Sequence, residues 1–182
     1  MISSHTITGG FSLGECDHLR MLALSNPAAD AGLVGQNRDH NLRRADLVWL
    51  DDVPGAEWVM DRIIALVREA NRLFGFDIAA FHESPQIARY DAAREGHFDW
   101  HADIGDGPLA RQRKLTMVAQ LSDPGDYAGG LLELMPSAQV LTADRTCGAV
   151  TFFPSYILHR VTPVTEGVRQ SLTIWAHGPA FR

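Results

Sequence analysis

His101 and Asp103 lie two residues apart in the stretch His97-Phe98-Asp99-Trp100-His101-Ala102-Asp103. In an extended chain residues i and i+2 share a face, so the imidazole and the carboxylate point into one cavity. A second histidine, His159 in Ser155-Tyr156-Ile157-Leu158-His159-Arg160, closes a three-point site if the fold returns it to the same place. Two imidazoles and one carboxylate on one face of a metal leave the opposite positions open, the arrangement used by non-haem Fe(II) for oxygen chemistry. Taken singly, His101-x-Asp103 also reads as a polar strand pair, and His159 as a buried histidine bonded to backbone.

The last apolar stretch adds a cation. Arg169, Ser171, Thr173 and Trp175 alternate with Gln170, Leu172, Ile174 and Ala176, so Arg169 projects with Ser171 and Thr173 to one side. An inward arginine needs an anion, and an internal salt bridge is one answer. A dicarboxylate co-substrate is another, one end chelating the metal and the other pairing with the guanidinium. Charge agrees with the second: Fe(II) with one aspartate keeps a positive charge, a dianion reverses it, and Arg169 cancels the remainder.

These groups need strands to hold them. From about residue 85, short segments separated by turn chemistry read as strands: Gln86 to Asp91, His97 to His101, Leu115 to Leu121, Leu131 to Met135, Ala149 to Phe153, Leu158 to Val161 and Val168 to His177. Alternation in the second puts Phe98, Trp100 and Ala102 on a face suited to packing beneath helices, and His97, Asp99, His101 and Asp103 on the other. His97 and Asp99 then stand beside the ligands as supporting groups. Upstream, Ser12 and Glu15 form a capping box for a helix to about Leu24. Gly32 to Asn41 reads as a loop, and Arg43 to Leu50 as a strand. Apolar residues at a helical period mark Ala56 to Phe74 as an amphipathic helix closed by Gly75. Many short strands after two helices predict an α+β, mainly β chain, with a double-stranded β-helix (a jelly roll, cupin-like) and the N-terminal helices on one outer face. We expect one domain over residues 1–182, its support at about 1–84 and its jelly-roll core at about 85–178.

At 46% hydrophobic and 21% charged residues, the chain is neither disordered nor short of a core. A net charge of -6 gives no footing for nucleic acid or an anionic membrane. Cys16 and Cys147 read as two reduced thiols, with a disulfide the lesser alternative. The N-terminus lacks the basic start and apolar run of a signal peptide, and no stretch is apolar for the ~18 residues a membrane span needs. The expected location is cytoplasmic.

In order, His101-x-Asp103, His159 and Arg169 resemble the 2-oxoglutarate and Fe(II)-dependent dioxygenases. The resemblance is to the prolyl 4-hydroxylase-like branch, particularly bacterial PKHD-type hydroxylases. Leu121-Ser122-Asp123-Pro124-Gly125-Asp126-Tyr127-Ala128-Gly129-Gly130, Phe153-Pro154-Ser155 and His159 to Arg169 carry it, over roughly residues 86 to 177. It implies iron held by His101, Asp103 and His159, and 2-oxoglutarate anchored by Arg169. Tyr90 matches a co-substrate tyrosine of that branch, though core packing accounts for it equally, and Thr173 is a further contact from the strand of Arg169. O2 completes the reagents, with ascorbate as reductant in vitro, and the products are a hydroxylated substrate, succinate and CO2. Gly129-Gly130-Leu131-Leu132-Glu133-Leu134 stands where the branch has Gly-Gly-Glu-Leu, and its members run on past the final strand. We therefore expect the substrate side to differ.

For the substrate, a small amino-acid-like or carboxylate molecule is favoured over a peptide or protein residue, because the chain shows no peptide-binding extension. Arg111 and Arg113, in the polar loop after Asp103, are candidates to meet it, as are Arg43 and Arg44 at the pocket mouth, with Arg44 the choice. Two other classes stay open: a non-catalytic metal-binding jelly-roll module, and a hydrolytic metal enzyme for which no general base stands out.

Overall fold

The computed structural model describes residues 2–30 and 41–181, and not the side chain of Asp30. The loop expected from Gly32 lies outside the described residues except for Asn41. In chain order come β1 (His5–Ile7), α1 (Leu13–Ser25), β2 (Ala29–Asp30), β3 (Arg43–Arg44), β4 (Asp46–Trp49) and α2 (Val59–Phe74). Then follow β5 (Gln86–Asp91), β6 (His97–His101), β7 (Arg113–Gln120), β8 (Tyr127–Gly129) and β9 (Leu132–Met135). The chain ends in β10 (Leu141–Thr142), β11 (Val150–Pro154), β12 (Leu158–Val161) and β13 (Val164–His177).

All strand pairs are antiparallel, in two sheets. One runs β1-β11-β7-β13-β5-β4-β2 with β8 added to β13, and the other runs β10-β9-β12-β6-β3. The larger sheet buries both faces. Leu115, Met117, Ala119, Leu172, Ile174 and Ala176 pack against the helical residues Cys16, Leu19, Ile63, Leu66, Val67 and Ala70. Alternate residues of this sheet face the smaller one, where Val118 of β7 and Phe153 of β11 meet Leu132 and Leu134. Period-two alternation along β7 and β13 thus separates a dry, helix-covered side from the side that carries chemistry.

The helices follow their local signals. Ser12 accepts from Glu15 N while the Glu15 carboxylate accepts from Ser12 N, the capping box expected for α1. Helix α2 closes on Gly75, whose φ of 68° places it in the left-handed region and lets its N–H bond Asn71 O at 2.8 Å. It begins at Val59, three residues later than the periodicity from Ala56 suggested. No helix among the described residues is long and apolar enough to cross a membrane, and both cysteines are free.

Two expectations fail. The strand from Arg43 to Leu50 is broken at Ala45: β3 pairs with β6 in the smaller sheet, whereas β4 pairs with β5 in the larger one. The chain changes sheet there, which a hydrophobic pattern does not reveal. The simple alternation of β6 fails as well, because Phe98 opposes Val161 and His101 opposes His159, three steps against two. This β-bulge carries Phe98 onto the face of His101. Phe98 therefore lies in the site and not beneath the helices, which cover the other sheet.

Candidate functional site

Neighbouring strands of the smaller sheet bring His101 at the end of β6 opposite His159 on β12, and Asp103, just beyond β6, joins them. One ligand atom from each lies within 4.8 Å of the others. His101 Nε2 stands 3.6 Å from Asp103 Oδ1, and His159 Nε2 stands 3.4 Å from Oδ2. The histidine tautomers follow from the backbone. Nδ1 of His101 meets Asp99 O at 2.7 Å, and Nδ1 of His159 meets Ile157 O at 2.9 Å. A carbonyl can only accept, so each Nδ1 carries the proton and each Nε2 offers a lone pair. Two lone pairs and a carboxylate aimed at one point are a donor set for a divalent metal.

Asp103 is buried and remains ionised. Burial pushes its carboxyl up, but the neighbouring His159 and His101 and the Thr116 hydroxyl outweigh that and hold it well below the carboxylate range. Thr116 Oγ1 donates to Asp103 Oδ2 at 2.7 Å and lies 3.0 Å from Ser155 Oγ. His159 is driven the other way by burial, down to about 4, a shift only partly offset by Asp103. Near neutral pH it is a neutral ligand.

Across a narrow inner cavity of about 40 Å³ stands Arg169, 1% exposed. Its Nε and Nη2 donate to Gln120 Oε1 at 3.2 and 3.0 Å, and its Nη1 lies 3.4 Å from Ser171 Oγ. Burial lowers its pKa, against the opposing pull of Tyr90 and Tyr127. No carboxylate among the described residues pairs with it. A buried guanidinium with neutral partners only is costly, and an anion entering the cavity removes that cost. Tyr90, Ser171 and Thr173 line the same cavity, with the Tyr90 ring 5.4 Å from the guanidinium carbon. The residues thus fit a metal chelated by a dianion.

The inner cavity adjoins an outer cleft of about 700 Å³, mostly apolar, whose walls include Leu47, Trp49, Ile104, Leu109 and Trp175. Arg43, Gln86, Phe98, His101, Asp103 and Trp175 border both spaces.

The arginines chosen for this cleft are placed differently from expectation. Arg44 is turned away, paired with Glu95 Oε2 at 2.7 Å beside a separate surface depression. Neighbours on β3 face opposite sides, so the inward residue is Arg43. Arg111 is exposed and lines neither space. Arg113 does border the cleft, but its donors are taken. Nε and Nη2 bond Glu83, Nη1 bonds Asp103 O at 3.0 Å, and the guanidinium lies 3.8 Å from the centre of the Trp175 ring. His177 Nε2 also meets Glu83 at 3.0 Å. Burial raises the Glu83 carboxyl, yet Arg113 and His177 overcome it and bring it down to about 2. This network steadies the backbone of Asp103. His97 turns away from the ligands, binding Glu95 O and Asn41 O, whereas Asp99 supports His101 through its backbone carbonyl while its carboxylate accepts from Trp100 N.

Gln86 and Trp175 were missed, although alternation pointed to both. Gln86 shares a face with Tyr90 four positions on, and Trp175 with Thr173.

Residues 85–177 match the family model described as the 2OG-Fe(II) oxygenase superfamily. A PKHD-type hydroxylase of Teredinibacter turnerae is 44% identical over 102 residues, 53% of this chain and 45% of the relative. One of Paraburkholderia xenovorans is 28% identical over 150 residues, 81% of this chain and 63% of the relative. The chain spans about half the length of such curated relatives, 42% of one from Pseudomonas fluorescens. Among solved structures, a prolyl hydroxylase of Trichoplax adhaerens, in complex with a hypoxia inducible factor peptide fragment, superposes with a TM-score of 0.80. The match is 20% identical and covers 96% of this chain and 83% of that one. A Pseudomonas putida prolyl-4-hydroxylase gives 0.75 at 20% identity, covering 97% and 93%. These two likenesses concern the fold, a double-stranded β-helix with helices on one outer face. By the match over its β-rich half, the chain belongs to the 2OG-Fe(II) oxygenase superfamily.

Proposed function

We propose that this chain is an Fe(II)- and 2-oxoglutarate-dependent hydroxylase acting on an unactivated C–H bond of a small amino-acid-like or carboxylate substrate. The observation that carries the reading is Arg169, a buried cation without an acid partner among the described residues, sharing one cavity with the donor set of His101, Asp103 and His159. Together the bound iron and 2-oxoglutarate supply the oxidising chemistry, in which O2, the C–H compound and 2-oxoglutarate become alcohol, succinate and CO2.

Each residue has a task in that reaction. His101, Asp103 and His159 hold the metal through Nε2, one carboxylate oxygen and Nε2. Thr116 restrains Oδ2 of Asp103. Arg169 takes the far carboxylate of the co-substrate, with Tyr90 and Thr173 at its sides, while Gln120 keeps the guanidinium in place. Phe98, stacked on the His101 ring with centroids 3.5 Å apart, shields that ligand from water.

A peptide substrate is the second reading, favoured by the breadth of the cleft and the exposure of Trp49, Ile104 and Leu109 beside it. Titrating the Fe(II)-loaded protein with 2-oxoglutarate without oxygen tests the shared chemistry. A weak visible charge-transfer band is expected, and Asp103→Ala should abolish it. Iron binding with no band in the wild type rejects the role of Arg169.

A further inference from the structure

Unpartnered polar atoms cluster where the two cavities meet. Among the described residues, four buried side-chain atoms lack a hydrogen-bond partner: Arg43 Nε, Gln86 Oε1, Arg145 Nε and Trp175 Nε1. Three of them, all but that of Arg145, belong to residues bordering both the inner cavity and the outer cleft. Each such atom costs free energy unless a ligand completes it.

We propose that Arg43, Trp175 and Gln86 form an anchor for a substrate carboxylate with an N–H on the adjoining carbon, so that the substrate is a free or N-acylated apolar amino acid. This rests on the hydroxylase reading and names its substrate class. Arg43 and Trp175 are donors and require an acceptor, whereas the Gln86 carbonyl oxygen requires a donor. Charge narrows the acceptor. Arg113 is neutralised by Glu83, and Asp103 belongs to the ligand set. Arg43, 9% exposed and set over the Phe98 ring at 4.5 Å, has no carboxylate partner among the described residues. Arg169 already balances the co-substrate, so Arg43 faces a different anion. The rest of the cleft, with Leu47, Trp49, Ile104 and Leu109, suits an apolar side chain. A carboxylate held by Arg43 leaves that side chain beside His101 and Asp103, which border the same space.

The test compares leucine, N-acetyl-leucine, N-acetyl-leucinamide and 4-methylpentanoate, and the N-acetylated valine and phenylalanine acids and amides. Binding is read in the full chain from the shift of the anaerobic Fe(II) and 2-oxoglutarate band. Saturation-transfer NMR on the metal-free protein reads it independently. We expect one of the acids to bind about 10- to 100-fold more tightly than its amide. Arg43→Gln should erase that preference, at 2-oxoglutarate saturating for the variant, and Arg43→Lys should retain part of it. Gln86→Leu should remove the advantage of the N-acetyl amino acid over the acid lacking the N–H. Amides binding as tightly as acids, or no member of the panel binding, overturns the proposal and turns the search to internal peptide segments. A missing band with acid binding intact in the NMR measurement overturns the hydroxylase reading and leaves the anchor standing.

Discussion

The inner cavity and the wall it shares with the outer cleft treat their polar groups in opposite ways. Around Arg169 every guanidinium nitrogen has a neutral partner, and both histidine Nδ1 atoms are tied to carbonyls. At the wall, Arg43, Gln86 and Trp175 keep unpaired atoms. The first arrangement fixes side chains before anything binds, which suits a reagent that is the same in every turnover. The second stores unsatisfied hydrogen bonds for whatever arrives through the cleft. In the proposed reading positioning and selection fall to different residues of shared strands, Trp175 following Arg169 on β13 and Gln86 preceding Tyr90 on β5.

Removing the inner cation should give the largest effect. Arg169→Ala should raise the 2-oxoglutarate requirement by about 100-fold or more, because the dianion loses the charged partner of its far carboxylate. Fe(II) binding, followed by calorimetry, should persist. If Arg43→Gln raises the co-substrate requirement as much as Arg169→Ala does, the two regions do not divide the work and the contrast fails.

Glu83→Gln comes next, through stability. The folded carboxyl is held at about 2, below a normal value near 4.5, by Arg113 and His177. A depressed carboxylate stabilises the fold above its unfolded pKa and loses that contribution as pH falls toward the folded value. At about 1.4 kcal/mol for each unit the shift amounts to ~3 kcal/mol. Urea unfolding should show wild type and variant separated by that order at pH 7 and converging toward pH 2. A gap independent of pH would mean that Glu83 acts through packing and not through its charge.

Much of this was legible. Alternation along β13 placed Arg169, Ser171, Thr173 and Trp175 on one face, and β5, β6 and β12 were read to their ends, because side-chain period and turn residues are local properties. The spacing of His101 and Asp103 pointed to a common cavity for the same reason. The bulge that brings Phe98 onto the ligand face is set by pairing with β12, a partner some 60 positions away in sequence, and no local pattern announces it. The inward turn of Arg43 and the outward turn of Arg44 follow from a change of sheet at Ala45. The choice of Arg44 failed on that single residue of register.

A smaller effect should come from the turn behind the co-substrate anchor. Gly130 has a φ of 58°, and a β-carbon there would stand 2.9 Å from Val164 Cγ2 and 3.0 Å from Arg169 Cδ. Gly130→Ala should cost about 1 kcal/mol in backbone strain and shift the arginine stem. The expected reading is an increase of about 3- to 10-fold in 2-oxoglutarate requirement with iron affinity retained. Loss of stability with no change in co-substrate dependence would show that the stem adapts.

The smallest contrast lies within one loop. Leu109 is 43% exposed and lines the cleft, while Arg111, two residues on, lines neither space. If the loop contributes to selection by apolar contact, Leu109→Ser should weaken substrate binding about 3- to 10-fold, roughly the loss of part of a buried side chain. Arg111→Ala should change binding and stability by no more than about 0.5 kcal/mol, as for an ordinary surface position. The reverse pattern would return the charged side chain to the substrate side and make the carboxylate anchor at Arg43 unnecessary. Measuring the two variants together against the same acid and amide pair separates apolar from ionic selection.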